Sequence, residues 1–529
     1  MIGKTRKTRF VFGGATLVAL AIGARSLSAS GGEPITPSNM PRVATVDERF
    51  QSFNVEMVEV TGGRFWAPYH SRAAAPESGS SAKLSIPGID PAAFRTRPPI
   101  DLANPRLRRL AAALGPAYVR VSGTWANSTY FHDSDAPAPA TPPPGFGAVL
   151  TRQQWRGVVE FSRAVNAGIV TSFAVSEGVR DANGLWTPDQ ARALLTFTKA
   201  IGGSIRAAEM FNEPTFAALG SAPKGYTAAM YGRDYSVFYA LARKTAPDMS
   251  ILGPSALGEA TLVTAGFPVV KTEDMLAAMT SPVDAFSYHF YGAPSQRCAS
   301  MGQSGQTTRE AALSEDWLSR TDRDLAFYSA LRDRFEPGKP IWLTETGEAA
   351  CGGNPWAVTF LDSFRYLDQL GRLAKRGVQV VIHNTLAASD YALIDDATLE
   401  PRPNYWSALL WRKLMGTTVL DVGSSPAPAV HLYAHCLRGQ PGGVALLAIN
   451  TDRTASHDLA TPIRSERYTL TARNLLDSSV ELNGRELKMG PHDGMPEMRG
   501  EPAAEGRVKL APASITFLAF GNAGNASCR

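Results

Sequence analysis

Reactive side chains are scarce in this chain of 529 residues, which has only four cysteines and eight histidines. The histidines are scattered and form no HExxH pattern, no phosphate-binding glycine loop is present, and no interior Ser-His-Asp order appears. No metal and no cofactor are therefore expected. Charge of one sign is also lacking. No run of five or six like charges follows the first 30 residues, and the formal net charge of +5 belongs to that opening segment, where Lys4, Arg6, Lys7, Arg9 and Arg25 stand with no acid. The remainder is formally neutral, which argues against nucleic acid as a partner. With 44% apolar and 19% charged residues the chain reads as globular, and its length exceeds one ordinary domain.

What is present begins with the basic segment. It leads into the apolar "VFGGATLVALAIGA" and the small-residue "RSLSAS", the pattern of a secretory leader over residues 1–30. No cysteine follows it, so a lipid anchor is not expected; whether the leader is cleaved or kept as an anchor stays open. The protein is expected to be exported, periplasmic or secreted, a monomer, and off the membrane once the leader is gone. In an oxidising compartment four cysteines allow up to two disulfides. Cys298 and Cys351 each follow a strand expected to end on one face, and Cys436 and Cys528 both lie in the C-terminal region. Those two pairs are expected, while the other pairings and free thiols remain open.

Strand and helix signals alternate from about residue 50 to 415. "PAYVRVSG" reads as a strand, "TRQQWRGVVEFSRAVNAG" as a helix ending in glycine, and "IVTSFAVS" as the next strand. "VDAFSYHFYG" and "RGVQVVIHNTLA" read as later strands. The stretch "IRAAEMFNEPT" is a short apolar run that stops at Asn212-Glu213-Pro214; proline cannot donate to a ladder, so Glu213 is expected at the strand's carboxyl end. "GKPIWLTETGEAACGG" repeats the signature with Glu345. In a barrel of alternating strands and helices the carboxyl ends form the active face, and a repeat takes roughly 30 to 45 residues. Three repeats separate the two acids, as strands four and seven would be. Two such carboxyls meet the demand of glycoside hydrolysis for one group that protonates the leaving oxygen and one that attacks the anomeric carbon.

After about residue 416 the pattern changes to short alternating runs such as "HLYAHCLR", "GGVALLAIN" and "RVKLAPASITFLAFG", read as an antiparallel β-sandwich. The expected fold is thus a (β/α)8 TIM barrel over 45–415 with a C-terminal β-sandwich over 416–525, completed by an N-terminal strand near 42–52. The proline-rich "DSDAPAPATPPPGFG" at 133–147 is expected to be a surface spacer.

"PRLRRLAAALGPAYVRVSGT", "MFNEPTF", "PIWLTETGEAACGG" and "SDYALIDDATLEPRPNYWSALLWRKLMGTTVL" resemble, in order, segments of the heparanase and beta-glucuronidase group, glycoside hydrolase family 79. The resemblance spans roughly residues 45 to 525. It implies a retaining mechanism with Glu213 as acid/base and Glu345 as nucleophile, and a glycan substrate with a uronic acid at the cleaved bond, such as heparan sulfate cut internally. It implies that Asn212 meets the sugar 2-hydroxyl, that Tyr291 orients Glu345, and that His289 lines the same wall. Glu56, with Glu59 as rival, matches a sugar-binding acid; Thr124 and His383 or Asn384 match wall positions. The uronate carboxylate would meet the backbone N–H groups of Gly352 and Gly353, in a loop where Cys351 replaces a glycine of the family pattern, and the hydroxyl of Tyr391 from the loop after the eighth strand. The rivals are an exo-acting beta-glucuronidase, a beta-xylosidase or arabinofuranosidase on the same scaffold, and a carbohydrate-binding protein that has lost catalysis.

Overall fold

The structure, a computed structural model, describes residues 34–69, 89–262, 268–301 and 305–529. The expected leader over residues 1–30 lies outside them. Eight parallel strands close into a barrel: β1 (Gln51–Glu56), β2 (Ala117–Ser122), β3 (Ala167–Thr171), β4 (Ile205–Glu209), β5 (Ser250–Leu257), β6 (Ala285–Phe290), β7 (Ile341–Thr346) and β8 (Val380–His383). Each pairs with its successor in sequence, and β8 pairs back to β1. The expected (β/α)8 architecture is observed.

The strands are shorter than their apolar runs suggest. β4 stops at Glu209 rather than Phe211, and β3 at Thr171 rather than Ser176, because the barrel rim lets the chain leave the ladder before its apolar residues run out. Helix α1 (Arg152–Ala164) starts where the sequence places it, with the Thr151 hydroxyl accepting from the Gln154 N–H and the Gln154 side chain answering the Thr151 N–H. It ends earlier than the glycine signal at Gly168 predicts. Asn166, at φ 52°, takes the left-handed turn, and Gly168 already belongs to β3.

The barrel interior is layered. Val170, Ala207, Leu252 and Trp342, with the partly buried Tyr118 against them, form an apolar floor. Two residues further along their strands, on the same side by the period of two, Arg120, Glu209 and Thr344 form a polar layer whose members bond to one another. In β7 the register with β6 slips, so that Tyr288 faces Leu343 while His289 faces Glu345. The extra residue lets both Thr344 and Glu345 turn toward the interior.

The C-terminal region is a nine-stranded antiparallel sheet that includes β9 (Met415–Leu420), β10 (Val430–Leu437), β11 (Val444–Asn450), β12 (Ser465–Thr471) and β13 (Ser514–Phe520), with the N-terminal strand Arg42–Thr45 paired to β9. Leu447, Ile449 and Phe517 face the barrel's core, whereas Leu446, Leu518 and Phe520 face a two-stranded ribbon that contributes Leu459, Val508 and Leu510. Burial on both faces explains why "VALLAIN" and "ITFLAF" are almost uninterrupted apolar runs. Disulfides join Cys298 to Cys351 and Cys436 to Cys528, the expected pairs. Among the described residues no helix is long and apolar enough to cross a membrane.

Candidate active site

Arg120 organises the site. Its side chain has no exposure; Nη1 donates to Glu345 Oε2 at 2.8 Å, and Nη2 donates to Glu209 Oε2 at 2.9 Å and to Asn212 Oδ1 at 2.8 Å. A buried guanidinium needs such partners, since an unpaired charge in the interior is costly. Glu209 takes a further bond from the Thr344 hydroxyl at 2.6 Å. Arg120 Nη2 also lies 3.2 Å from His289 Nε2. Because guanidinium groups only donate, Nε2 is the accepting nitrogen and the ring proton sits on Nδ1, which donates to Glu213 Oε1 at 3.0 Å. Burial, and then the Arg120 charge, hold the His289 pKa well below the usual histidine value, so the ring is neutral.

Glu213 lies four residues beyond the end of β4, not at the strand end itself. It adopts the left-handed conformation, φ 50° and ψ 60°, just before Pro214 opens a short 3-10 turn. Such a conformation is sparsely populated by residues with a side chain and persists only where the surroundings enforce it. Here Asn127 clamps the preceding residue: the Asn212 N–H donates to Asn127 Oδ1 at 2.8 Å, and Asn127 Nδ2 donates to the Asn212 carbonyl at 2.9 Å. The Glu213 side chain remains 15% exposed to the cleft. Burial, reinforced by the charge of Glu345, raises its pKa well above the ordinary carboxylate range.

Glu345 is held on two sides. Arg120 takes one oxygen, and the Tyr291 hydroxyl donates to the other at 2.8 Å. Burial and the Glu345 charge push the Tyr291 pKa well up, which keeps it a neutral donor. Asn384 Nδ2 donates in turn to Tyr291 at 3.0 Å and to the Tyr391 hydroxyl at 3.2 Å, leaving the Tyr391 proton for a ligand. The nearest oxygens of Glu213 and Glu345 and a nitrogen of His289 lie within 4.8 Å of one another. This is the one group of three potential metal ligands among the described residues, but each His289 nitrogen is already committed, one to Arg120 and one to Glu213.

A cleft of about 170 Å³ opens above the pair. Of the residues anticipated from sequence, Glu56, Thr124, Asn212, Tyr291 and Tyr391 line it with the two acids. Glu56 Oε2 is buried without a hydrogen-bond partner, and burial together with the Glu345 charge holds its pKa well above the ordinary value. The rival Glu59 is structural: its Oε1 accepts the Glu56 N–H at 2.9 Å and Oε2 lies 3.3 Å from Arg97. His289 lies behind Glu213 rather than on the wall.

Three expectations are corrected. His383 does not reach the cleft; its Nε2 bonds the Tyr391 carbonyl at 2.8 Å, and burial pushes its pKa down to about 3. The next residue, Asn384, takes the wall position. Gly353 is no donor to the cleft, because its N–H goes to the Ala349 carbonyl at 3.1 Å. Gly352 packs under Ser389 and Trp66, where an added Cβ would come within 2.5 Å of the Ser389 hydroxyl, and it does not line the cleft. Sequence reasoning missed Arg120, Glu209 and Asn127. The available signal was a lone arginine inside the strand "AYVRVS", which a buried strand tolerates only with carboxylates opposite.

Mouse heparanase is 28% identical over 485 residues, covering 81% of this chain and 88% of that protein. The chain is similar to the heparanases. Hyaluronoglucuronidase of Hirudo nipponia is 24% identical over 478 residues, covering 81% of this chain and 92% of that protein. No family model matches. Among solved structures, a 4-O-alpha-L-rhamnosyl-beta-D-glucuronidase from Fusarium oxysporum superposes with a TM-score of 0.60 at 15% identity, covering 91% of this chain and 99% of that one. That likeness concerns the fold. The sequence similarity to heparanases is what ties the two-carboxylate site to glycoside chemistry.

Proposed function

We propose that this protein is a retaining glycoside hydrolase that cleaves β-glucuronides, exported as a monomer, with Glu213 as acid/base and Glu345 as nucleophile. The observation that carries the reading is that the nearest oxygens of the two carboxyls lie within 4.8 Å of one another, closer than the spacing that leaves room for an attacking water. Retention calls for about 5 to 5.5 Å, whereas inversion needs about 6.5 to 9.5 Å to admit a water. Glu345 attacks the anomeric carbon while Glu213 gives its proton to the leaving oxygen, forming a glycosyl ester and a free alcohol. Glu213, now ionised, then takes a proton from water as that water displaces Glu345. The roles match the surroundings: Glu345 accepts two hydrogen bonds, one from a guanidinium, and Glu213 has its neutral form favoured.

The glucuronide preference is supported by the similarity to the hyaluronoglucuronidase of Hirudo nipponia and by Tyr391, whose free proton suits a uronate oxygen. Two disulfides suit an exported protein. The test uses two variants and two leaving groups. Glu345→Gln abolishes turnover of both a phenol-type and an alkyl β-glucuronide. Glu213→Gln loses the alkyl substrate but keeps more of the phenol-type one, whose leaving group needs less protonation. Steady-state rates check this, and equal mild losses would sink the assignment.

A further inference from the structure

The cleft's lining divides into two chemistries. Around Glu345 gather polar groups suited to a sugar, namely Glu56, Asn212, Asn384 and Tyr391. The rest of the wall is apolar. Phe65, Trp66 and Trp125 stand on one stretch beside Cys351 of the disulfide, with Phe65 and Trp125 meeting edge-on at 4.9 Å and Trp66 backed by Phe94 at 4.4 Å. Phe216, Leu219 and Leu262 supply another stretch, and Trp125, Leu219 and Leu262 are only partly buried. Among the described lining residues there is no lysine, arginine or histidine, while three are carboxylic acids, Glu56, Glu213 and Glu345. Arg120, whose guanidinium touches the lining residue Glu345, has no exposure and is spent on Glu209, Glu345 and Asn212. Arg297 does not line the cleft; it pairs with Asp390 at 3.0 Å and lies against the face of Tyr69, with its Nε buried and unpartnered.

Sulfate entering such a mouth would lose water without gaining a cation from the described lining residues, and would face the carboxyls. An uncharged ring would gain by leaving water against the aromatic and leucine side chains. We propose that the apolar stretch is the leaving-group subsite, and that it takes an uncharged, ring-bearing aglycone in preference to a sulfated sugar. The assignment rests on the glucuronidase reading above.

The experiment compares kcat/KM for the β-glucuronides of methanol, 2-phenylethanol and 2-sulfoethanol, all primary alcohols, so that leaving-group chemistry is held nearly level, together with a heparan sulfate oligosaccharide. The 2-phenylethyl glucuronide should exceed the methyl one by about tenfold or more, as expected for burying much of a phenyl ring. The 2-sulfoethyl compound should fall below methyl. Trp125→Ala and Leu219→Ser should each shrink the phenylethyl-to-methyl ratio; these sit on separate stretches, so one misfolded variant does not silence the test. A ratio near one, a ratio indifferent to both variants, or faster cleavage of the heparan sulfate oligosaccharide would overturn the inference while leaving the glucuronidase reading standing. Failure to cleave any glucuronide would overturn both.

Discussion

With no exposed side-chain surface, Arg120 faces the two carboxylates Glu209 and Glu345 and is the hub of the polar layer. Arg120→Met leaves both acids without their cation in the interior, and removing one member of a buried ion pair costs about 3 to 5 kcal/mol. Urea denaturation should show a loss of that size, and adding Glu209→Gln should recover part of it, since one of the stranded charges is then gone. If Arg120→Met is neutral, the carboxylates are not held by Arg120. Glu213 makes a different prediction, through pH. Its raised pKa means that the acid form survives above the ordinary carboxylate range, so kcat/KM should fall only as pH rises through that raised value. The same shift bears on stability. A folded-state pKa above the unfolded one gives a contribution present below the unfolded pKa and lost as pH rises through the folded pKa. Glu213→Gln, which cannot ionise, should therefore be more heat-stable than the parent at neutral pH and lose that advantage toward pH 4; thermal melts at both ends check the sign.

At the scale of elements, the position of the segment 133–147 matters. It leaves the short strand Thr129–His132 and returns at Ala148–Thr151, the two pairing in parallel, and none of its residues lines the cleft. Cutting an exposed connection that neither covers the site nor carries a catalytic group should change little. Limited proteolysis at its exposed tip, residues 135–141, is expected to leave kcat/KM within about twofold, since Phe146 at the far end, not the tip, packs against the core. A large rise in activity on nicking would mean that the segment occludes the cleft. Elements also explain what was legible at the rim. Strand existence and order followed from apolar runs and turn residues, but the slip in β7 that turns Glu345 inward has no local signature, because it arises from pairing with β6.

The whole molecule is held together across the face between barrel and sheet. There Asp368, on the helix Phe360–Lys375 (α2), accepts from His431 Nδ1 and the Tyr433 hydroxyl of β10, both at 2.6 Å, and from Arg372 Nε at 2.6 Å. Burial alone would lower the His431 pKa, but the Asp368 carboxylate outweighs it and the net shift is upward. For Asp368, burial is outweighed by His431 and Arg372, and the net shift is downward. The histidine's contribution is thus complete below the unfolded histidine pKa and lost as pH rises through the raised value. The aspartate's is present above the unfolded carboxylate pKa and lost as pH falls through the lowered one. Comparing the parent with His431→Gln by denaturant unfolding, the stability difference should be largest near pH 5 to 6 and shrink toward pH 9, around the ordinary histidine range. A difference that grows with pH would refute the charged pair.

The sequence by itself determined the class of fold and pointed to the two acids; it favoured the two disulfide pairs, but the pairing was decided by the fold that brings the cysteines together. Period-two and strand–helix patterns are local, and Glu-Pro and Thr-Glu-Thr at the ends of apolar runs mark carboxylates that a core would not otherwise keep. It determined less about the groups that tune those acids. Glu209 and Asn127 carry no motif; they matter because barrel closure sets strands β2, β4 and β7 around one axis, so that Arg120 meets Glu209 from 89 positions away and Glu345 from 225. The choice of Asn384 over His383 at the wall, and the commitment of the Gly353 N–H to its own turn, were likewise settled by tertiary structure. A one-residue step reverses which way a side chain points, and a backbone donor's partner depends on the path of the loop rather than on residue type.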